Sequence, residues 1–527
     1  MTRLTRRQFG HWTALAFGAM SLGGCAPWEW ADPQHGLNRL TSEPAPTPAE
    51  WRVLNRLGFG PRPGDVSRLR AEGIQDWIER QLHPESIPES TDLEAALARL
   101  DTLDASPEEA HDRELDWEPE TAISPIVGKV LKLGKTRDPR PGLTRQELVQ
   151  ATVLRAAFSN RSLQEVMVEF WSDHFSINQG KGECRWLKTT DDRQMRPLVL
   201  GKFRELLGAS SHSPAMLFYL DNVDNRNSRD PLDPHFNENY ARELLELHTL
   251  GDTSAYSLHD IQEVARILSG WTVGSPGSSS EGQFVFRAAE HDDGEKVVLG
   301  QRFPAGQGQR DGEQLLDFLA AHPLTAHFVA GKLCNRFLSA AAPQLRDRLA
   351  TTFLRTQGDI RQVVGELVRS DEFQRGDQPI FKRPFEFTIS AVRILGARTS
   401  GSGIIQYLES MGQRPFAWLQ PNGYPLAANY WATGLLSRWT FAIDLARNQI
   451  GETWINLDAL QRATRGKKPA DICRRLSEGL LPTPLAAENL DALATLNAPT
   501  GASGALSPDA LSQCLALLLM SPQFQWC

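Results

Sequence analysis

The stretch PHFNENYARELLELHTLGDTSAYSLHDIQEVARILSGW, residues 234–271, decides the fold class of this chain. Its spacing predicts a helix over 237–250, a short turn, and a second helix that ends before Trp271. His248 and Asn237 lie near the middle of the apolar face of the first helix. A buried polar side chain must find a hydrogen bond or a ligand, because leaving it unpaired costs ~1–3 kcal/mol. The other residues of that face are Tyr240, Ala241, Leu244, Leu245 and Leu247.

A helix predicted over 162–175 also places a histidine, His174, on its packing face. Glu165, Glu169 and Ser172 fall on the opposite side of that helix. Two interpretations stay open for His174 and His248. Each is a core histidine bonded to a backbone carbonyl, or the two approach each other and share a site. The rest of the apolar side consists of Val166, Met167, Phe170, Trp171 and Phe175.

The remaining patterns are helical, with one β signal. Residues 284–286 and 297–299 are short β-type runs on either side of an Asp-Gly turn, which predicts a hairpin near 282–303. We therefore predict a mainly α fold, a large multi-helix domain over 49–450 that carries a small β-hairpin insertion. Residues 451–527 are predicted to be a C-terminal helical portion of the same unit.

The first 25 residues have the pattern of an export signal. Residues 5–9 (TRRQF) match the twin-arginine pattern, and an apolar run too short to span a bilayer follows. Residues 22–25 (LGGC) match a lipobox, in which Cys25 becomes the lipidated first residue; the alternative is an ordinary cleaved signal. Residues 26–48 are predicted to be a tether. We expect a protein exported by the twin-arginine route and lipid-anchored in the periplasm or at the outer membrane.

The composition of the chain limits the classes of partner that we expect it to bind. The 527 residues are 41% hydrophobic and 23% charged, and the formal net charge is −8. A negative chain disfavours nucleic acid, and it predicts membrane contact only through the lipid anchor. The cysteines form no Cys-x-x-Cys pair, which argues against a zinc ribbon or an iron–sulfur cluster.

A constellation of polar residues is the candidate site. We predict His174, His248 and Asp221 as catalytic residues. Imidazole and carboxylate ligands suit a divalent metal such as Zn²⁺, Mn²⁺ or Fe²⁺, and they would serve equally as an acid–base pair. The loop over 221–227 lacks the glycine and the spacing of a calcium loop, so turn chemistry explains it better. The predicted metal ligands are His174, His248, His291, Asp292 and Glu238.

Several of these segments together resemble one bacterial family, the domain-of-unknown-function family numbered 1800. The most specific is NENYARELLELHTLG at 237–251. Members often have FWHNHF where this chain has FWSDHF at 170–175, so Ser172 replaces a frequent histidine. The resemblance carries no activity, but it implies an exported protein, of a kind often encoded beside a secreted sulfatase-like family numbered 1501. The other matching segments are WRVLNRLGFGP (51–61), YLDN (219–222), ARILSGWT (265–272), HDDGEK (291–296) and SPQF (521–524).

Two classes of function follow from the sequence. The first is a metal-dependent periplasmic enzyme built on the His/Asp/Glu residues. The second is a non-catalytic envelope protein that binds a partner secreted enzyme or a glycan. For the second class, the aromatic loop WLQPNGYPLAANYW at 418–431 would stack on sugars, or its rings pack on one another.

Overall fold

A computed structural model describes residue 37 and residues 39–115, 142–227, 236–338, 342–376, 378–496 and 506–527. The described residues belong to one compact unit. The predicted signal over 1–25, with Cys25, lies outside the described residues, as does most of the predicted tether. Within the described part of that tether, Arg39–Ser42 form a helix that packs on Pro469–Leu480.

The fold is mainly α, as predicted. The helices of the first half are α1 Arg39–Ser42, α2 Pro48–Arg56, α3 Asp65–Glu72, α4 Ile74–Leu82, α5 Thr91–Leu97, α6 Pro107–Leu115, α7 Leu143–Phe158, α8 Ser162–His174, α9 Cys184–Met195, α10 Phe203–Ser211, α11 Pro214–Tyr219, α12 Glu238–Glu243 and α13 Leu258–Leu268. Those of the second half are α14 Arg310–Ala320, α15 Pro323–Leu338, α16 Pro343–Arg355, α17 Ile360–Arg369, α18 Asp371–Arg375, α19 Pro384–Ile394, α20 Ser402–Ser410, α21 Ala428–Trp431, α22 Leu435–Ala446, α23 Leu457–Thr464, α24 Pro469–Leu480, α25 Ala487–Leu496 and α26 Pro508–Met520.

The predicted central helix changes its winding half-way. Residues 238–243 are α-helical, but Leu244–Thr249 form a π-helix. The Leu250 amide accordingly bonds to the Leu245 carbonyl, five residues back, at 2.8 Å. Gly251 then ends the segment with φ 69°, and a Cβ there would meet the ring of Phe328 at 2.1 Å. π-Helical turns are rare and occur often at functional sites, so this winding makes His248 a candidate site residue.

The β structure corrects one prediction. Both predicted strands exist, but they do not pair with each other. β2 (Phe284–Phe286) pairs antiparallel with β1 (Trp271–Val273), and β3 (Lys296–Val298) pairs with β4 (Gln301–Phe303). Leu299 and Gly300, both with positive φ, make the tight turn of the second hairpin. A third two-stranded sheet joins β5 (Arg398–Thr399) to β6 (Thr453–Trp454).

α19 lies at the centre of the body, since all eleven of its residues are buried. It packs on α7, α20 and α22. The C-terminal end of the chain runs beside the residues that precede α19, because Ile380 and Cys527 exchange two backbone hydrogen bonds of 2.8 Å. This ladder fixes Arg383, the residue before α19, deep inside the molecule. Within the described residues, no helix combines the length and apolar character needed to cross a bilayer.

Candidate functional site

The two predicted histidines do approach each other. The ring centroids of His174 and His248 lie 6.3 Å apart, and both side chains are buried. The Nε2–H of His174 donates to the backbone carbonyl of His248 at 3.1 Å. Aromatic rings surround the pair, among them Phe175, Phe203 and Phe328. Within the described residues, no carboxylate bonds to either imidazole, and neither ring nitrogen of His248 has a hydrogen-bond partner.

Burial lowers the pKa of both imidazoles, and the charge of Lys332 adds to this effect. The pKa of His248 falls to about 3. Both rings are therefore neutral at pH 7. A histidine in the unfolded chain titrates near pH 6.5. As the pH falls below this value, the unfolded chain therefore binds protons at these two histidines that the folded protein does not bind.

This difference predicts a loss of stability in acid. A group whose folded pKa is depressed contributes stability above its unfolded pKa and loses it as the pH falls. Between pH 7 and pH 5, His248 alone should reduce the free energy of unfolding by about 2 kcal/mol, and His174 acts in the same direction. Urea unfolding at both pH values should show a smaller drop for His248→Gln than for the wild-type chain. Equal drops in the two proteins would contradict the neutral buried imidazole.

The other predicted site residues lie elsewhere. Asp221 is half-exposed and pairs with Lys181 at 2.7 Å. Glu238 pairs with Arg242 at 3.4 Å at the start of α12. Neither carboxylate contacts the histidine pair through a bond or ion pair in the described part of the chain.

His291 and Asp292 belong to a network that holds the second hairpin. His291 Nε2 lies 3.5 Å from the Asp311 carboxylate, which also pairs with Lys296 at 2.6 Å inside the protein. Asp292 pairs with Arg266 of α13 at 2.9 Å. These ion pairs tie β3 to α14 and the turn before β3 to α13, which gives the HDDGEK segment a structural role.

The structure does not bring the five predicted metal ligands together into one group. Among the residues that the structure describes, no three or more His, Cys, Asp or Glu side chains form a group suited to a metal ion. The physical reason is that each predicted carboxylate already has a cation beside it. Helical periodicity placed the histidines on buried faces correctly, but it carried no information about which carboxylates would reach them.

A cleft on the other side of α8 has the chemistry of a binding site. It is an open groove, and its cavity volume is about 50 Å³. The side of α8 predicted to be polar, with Glu165, Glu169 and Ser172, forms one wall. The loop that precedes α21 forms the facing wall, where Trp418 and Tyr424 lie with their ring centroids 5.1 Å apart. The remaining contributors include Phe59, Asp173, Ser176, Phe385, Gln413 and Phe416.

Hydrogen bonds from the segment after α8 and from α11 hold the aromatic loop in place. The Gln179 amide donates to the Phe416 carbonyl at 2.8 Å, and the Tyr219 hydroxyl donates to the Leu419 carbonyl at 3.0 Å. Gly423, with φ 74°, passes directly over the end of α8, and a Cβ there would lie 2.2 Å from the backbone oxygen of Asp173. Only glycine allows this approach. The cleft is thus a fixed feature of the fold.

Two carboxylates that line the cleft, Glu169 and Asp173, belong to a cluster of buried ion pairs. The Arg383 side chain is 2% exposed, and its guanidinium bonds to Glu169 and to Asp173, the latter at 2.8 Å. It also pairs with Glu386 at 3.3 Å, and Arg336 bridges Glu169 and Glu386 at 3.3 Å each. We call these five residues the Arg383 cluster. Burial of separate charges is costly, so such a cluster persists only when every charge has partners.

The pKa values of two glutamates in the Arg383 cluster shift in opposite directions. Burial raises the pKa of Glu169, and the two arginines oppose this shift without cancelling it. Burial acts in the same direction on Glu386, but Arg383 and Arg336 outweigh it and lower the pKa of that group. Glu169 and Asp173 face the aromatic cleft, whereas Arg336, Arg383 and Glu386 line a second cleft near Trp526. The aromatic cleft therefore presents hydrogen-bond acceptors beside aromatic rings.

The family is shown by a match over nearly the whole chain. A model of a family described as protein of unknown function, DUF1800, matches residues 52–526. The chain belongs to the DUF1800 family. This confirms the resemblance drawn from the central stretch. No curated protein and no solved structure matches the chain. The description of the family names no activity, so the roles of residues in this DUF1800 protein rest on geometry.

Sequence patterns identified the aromatic loop of this site, at 418–431, but not the carboxylates and the arginine that lie opposite it. Glu169 was assigned to a polar helix side, and in this DUF1800 protein that side is the cleft wall. Arg383 is 214 residues from Glu169, and no local pattern links them. One available signal was the PNGY segment at 421–424, in which a glycine follows Asn in an aromatic loop.

Proposed function

We propose that this protein binds a glycan in the aromatic cleft. The observation that supports this is the pairing of Trp418 and Tyr424 with the carboxylates of Glu169 and Asp173 across one groove. Aromatic faces pack on the C–H faces of sugar rings, and fixed carboxylates accept hydrogen bonds from sugar hydroxyls. A groove with apolar walls and a few fixed polar groups is typical of small-ligand sites.

The ion pairs of the cleft carboxylates favour a role in binding without catalysis. Glu165 bonds to Arg196, and Glu169 and Asp173 bond to Arg383. A general acid or base must exchange a proton with its substrate, and in each of these groups a guanidinium occupies at least one of the carboxylate oxygens. The Arg383 cluster instead holds the acceptors in fixed positions, which lowers the entropic cost of binding.

The proposal predicts that Trp418 carries a large share of the affinity. We expect Trp418→Ala to weaken binding of N-acetylglucosamine oligomers about 10-fold, since a lost aromatic stack is worth ~0.5–1.5 kcal/mol or more. Isothermal titration of both proteins measures this. Trp454→Ala is the matched control, because Trp454 is an exposed tryptophan outside the residues that line the cleft. Equal weakening by both substitutions, or by neither, would contradict the cleft as the site.

A second surface is the candidate site for a partner protein. Between Arg414 and Asp444 the only charged residue is Arg438, and its side chain is buried. Contiguous exposed apolar groups mark interaction sites on soluble proteins. We propose that this uncharged face takes an apolar surface of a secreted sulfatase-like protein of the family numbered 1501. Its exposed large side chains are Leu419, Leu426, Tyr430, Leu435, Leu436 and Trp439.

We also propose that the protein is exported by the twin-arginine route and anchored through Cys25, on the sequence pattern alone. An envelope location would place the aromatic cleft beside cell-wall glycans. Fractionation of cells that express Cys25→Ser tests the anchor, since this variant should leave the membrane fraction. Wild-type protein found only in soluble fractions would contradict it.

A further inference from the structure

Two buried cysteines lie side by side in the C-terminal part. Cys473 is in the middle of α24 and Cys514 is in the middle of α26, and neither side chain is exposed. Their Sγ atoms are 3.7 Å apart. A disulfide has an S–S distance of ~2.05 Å, so a combined movement of about 1.7 Å would join them. The helices that carry them are already packed against each other.

We propose that Cys473 and Cys514 are a disulfide site that links α24 to α26 when the protein meets a disulfide donor. The thiolate of Cys473 attacks one sulfur of the donor and expels the other as a thiolate, which leaves a mixed disulfide. The thiolate of Cys514 then attacks the Cys473 sulfur and releases the second donor thiolate. Two cysteine thiols lose two protons and two electrons, and one donor disulfide is reduced to two thiols.

The environment of the pair supports this order of attack. The Cys514 thiol donates to the Cys473 sulfur, and this hydrogen bond lowers the pKa of Cys473 and raises that of Cys514. Cys473 is thus the more readily ionised thiol, and the thiolate is the nucleophile. Because both sulfurs are buried, exchange requires a local opening of the packed helices, and the finished bond is shielded from reductants.

The position of the link gives it a structural consequence. α1 packs on α24, and the Leu40 carbonyl lies 3.2 Å from where a Cβ on Gly479 would be. α24 therefore connects the N-terminal segment to the body. A covalent bond from α24 to α26 would strengthen this attachment in any chain held at its N-terminus.

The test uses the full chain, purified reduced and incubated with oxidised glutathione in dilute urea that permits local opening. Free thiols are blocked with N-ethylmaleimide, and non-reduced peptides are analysed by mass spectrometry. We expect a peptide pair joined through Cys473 and Cys514 that has lost two hydrogens, together with a Tm a few degrees higher than that of the reduced protein. Dithiothreitol under the same conditions should reverse both changes.

Cys473→Ser and Cys514→Ser should each abolish the linked peptide and the rise in Tm. Cys184→Ser should keep both, since the buried Cys184 thiol bonds to the Ala215 carbonyl instead. Recovery of Cys473 and Cys514 as blocked free thiols would overturn the proposal. So would their recovery as separate glutathione adducts, or joined to any other cysteine. None of these outcomes depends on whether the aromatic cleft binds a glycan.

Discussion

Replacing Arg383 with methionine should lower the free energy of unfolding by about 3–5 kcal/mol. The substitution keeps an apolar stem of similar length but removes the guanidinium that Glu169, Asp173 and Glu386 share. Arg336 alone cannot compensate three carboxylates. The buried carboxyl groups must then take up protons or draw water into the core. Urea unfolding at pH 7 measures the loss.

Two further variants isolate the cause. Arg242→Met removes an exposed pair with Glu238, and it should cost only ~0–1 kcal/mol. The double variant Arg383→Met with Glu169→Gln should recover part of the loss, because it removes one of the stranded charges. A loss below about 1 kcal/mol for Arg383→Met would show that the Arg383 cluster is not a coupled buried network.

Gly423→Ala should destabilise the protein by about 2–4 kcal/mol and weaken glycan binding at the same time. The new methyl group would collide with the backbone oxygen of Asp173, at 2.2 Å, and with its carbonyl carbon, at 3.0 Å. Backbone atoms at the end of a helix cannot turn aside as a flexible side chain can. The aromatic loop must therefore move away from α8, and it takes Trp418 and Tyr424 with it.

Gly466→Ala is the matched control. Gly466 has φ 77°, close to that of Gly423, but no atom lies within 4 Å of the position of its Cβ. It therefore carries only the cost of the left-handed backbone, ~1 kcal/mol, and should leave glycan binding unchanged. If the two variants behaved alike in both stability and binding, the close approach of Gly423 to α8 would not hold the cleft together.

Helical periodicity predicted the framework because burial of one helix face is a local property of the sequence. The buried positions of His174 and His248 were assigned correctly, whereas Leu247 is only half-buried and Glu165, predicted on the polar side of α8, is buried. The change to π-helical winding over 244–249 was not predicted, since the same apolar residues fit both windings. Strand pairing was also missed: residues 284–286 and 297–299 are good β segments, but local sequence does not choose their partners.

The site was harder to predict because its elements are distant in the chain. Glu169 and Asp173 are four residues apart on α8, a spacing that a solvated helix face also shows. What makes them a cleft wall is Arg383 beneath them and the loop of Trp418 above them. Gly423 and Asp173 meet across 250 residues for a purely steric reason. A contact of this kind cannot be predicted from the patterns of charge and hydropathy in the sequence.

Hydrogen exchange with and without a bound glycan locates the binding site on the molecule. At saturating N-acetylglucosamine oligomer, we expect slower amide exchange in residues 168–179, across the end of α8, and in residues 413–424, on the aromatic loop. Exchange in α22, which carries Leu436 and Trp439 on the uncharged face, should not change. Protection confined to α22, or no protection in either cleft segment at a saturating concentration, would contradict glycan binding in the cleft.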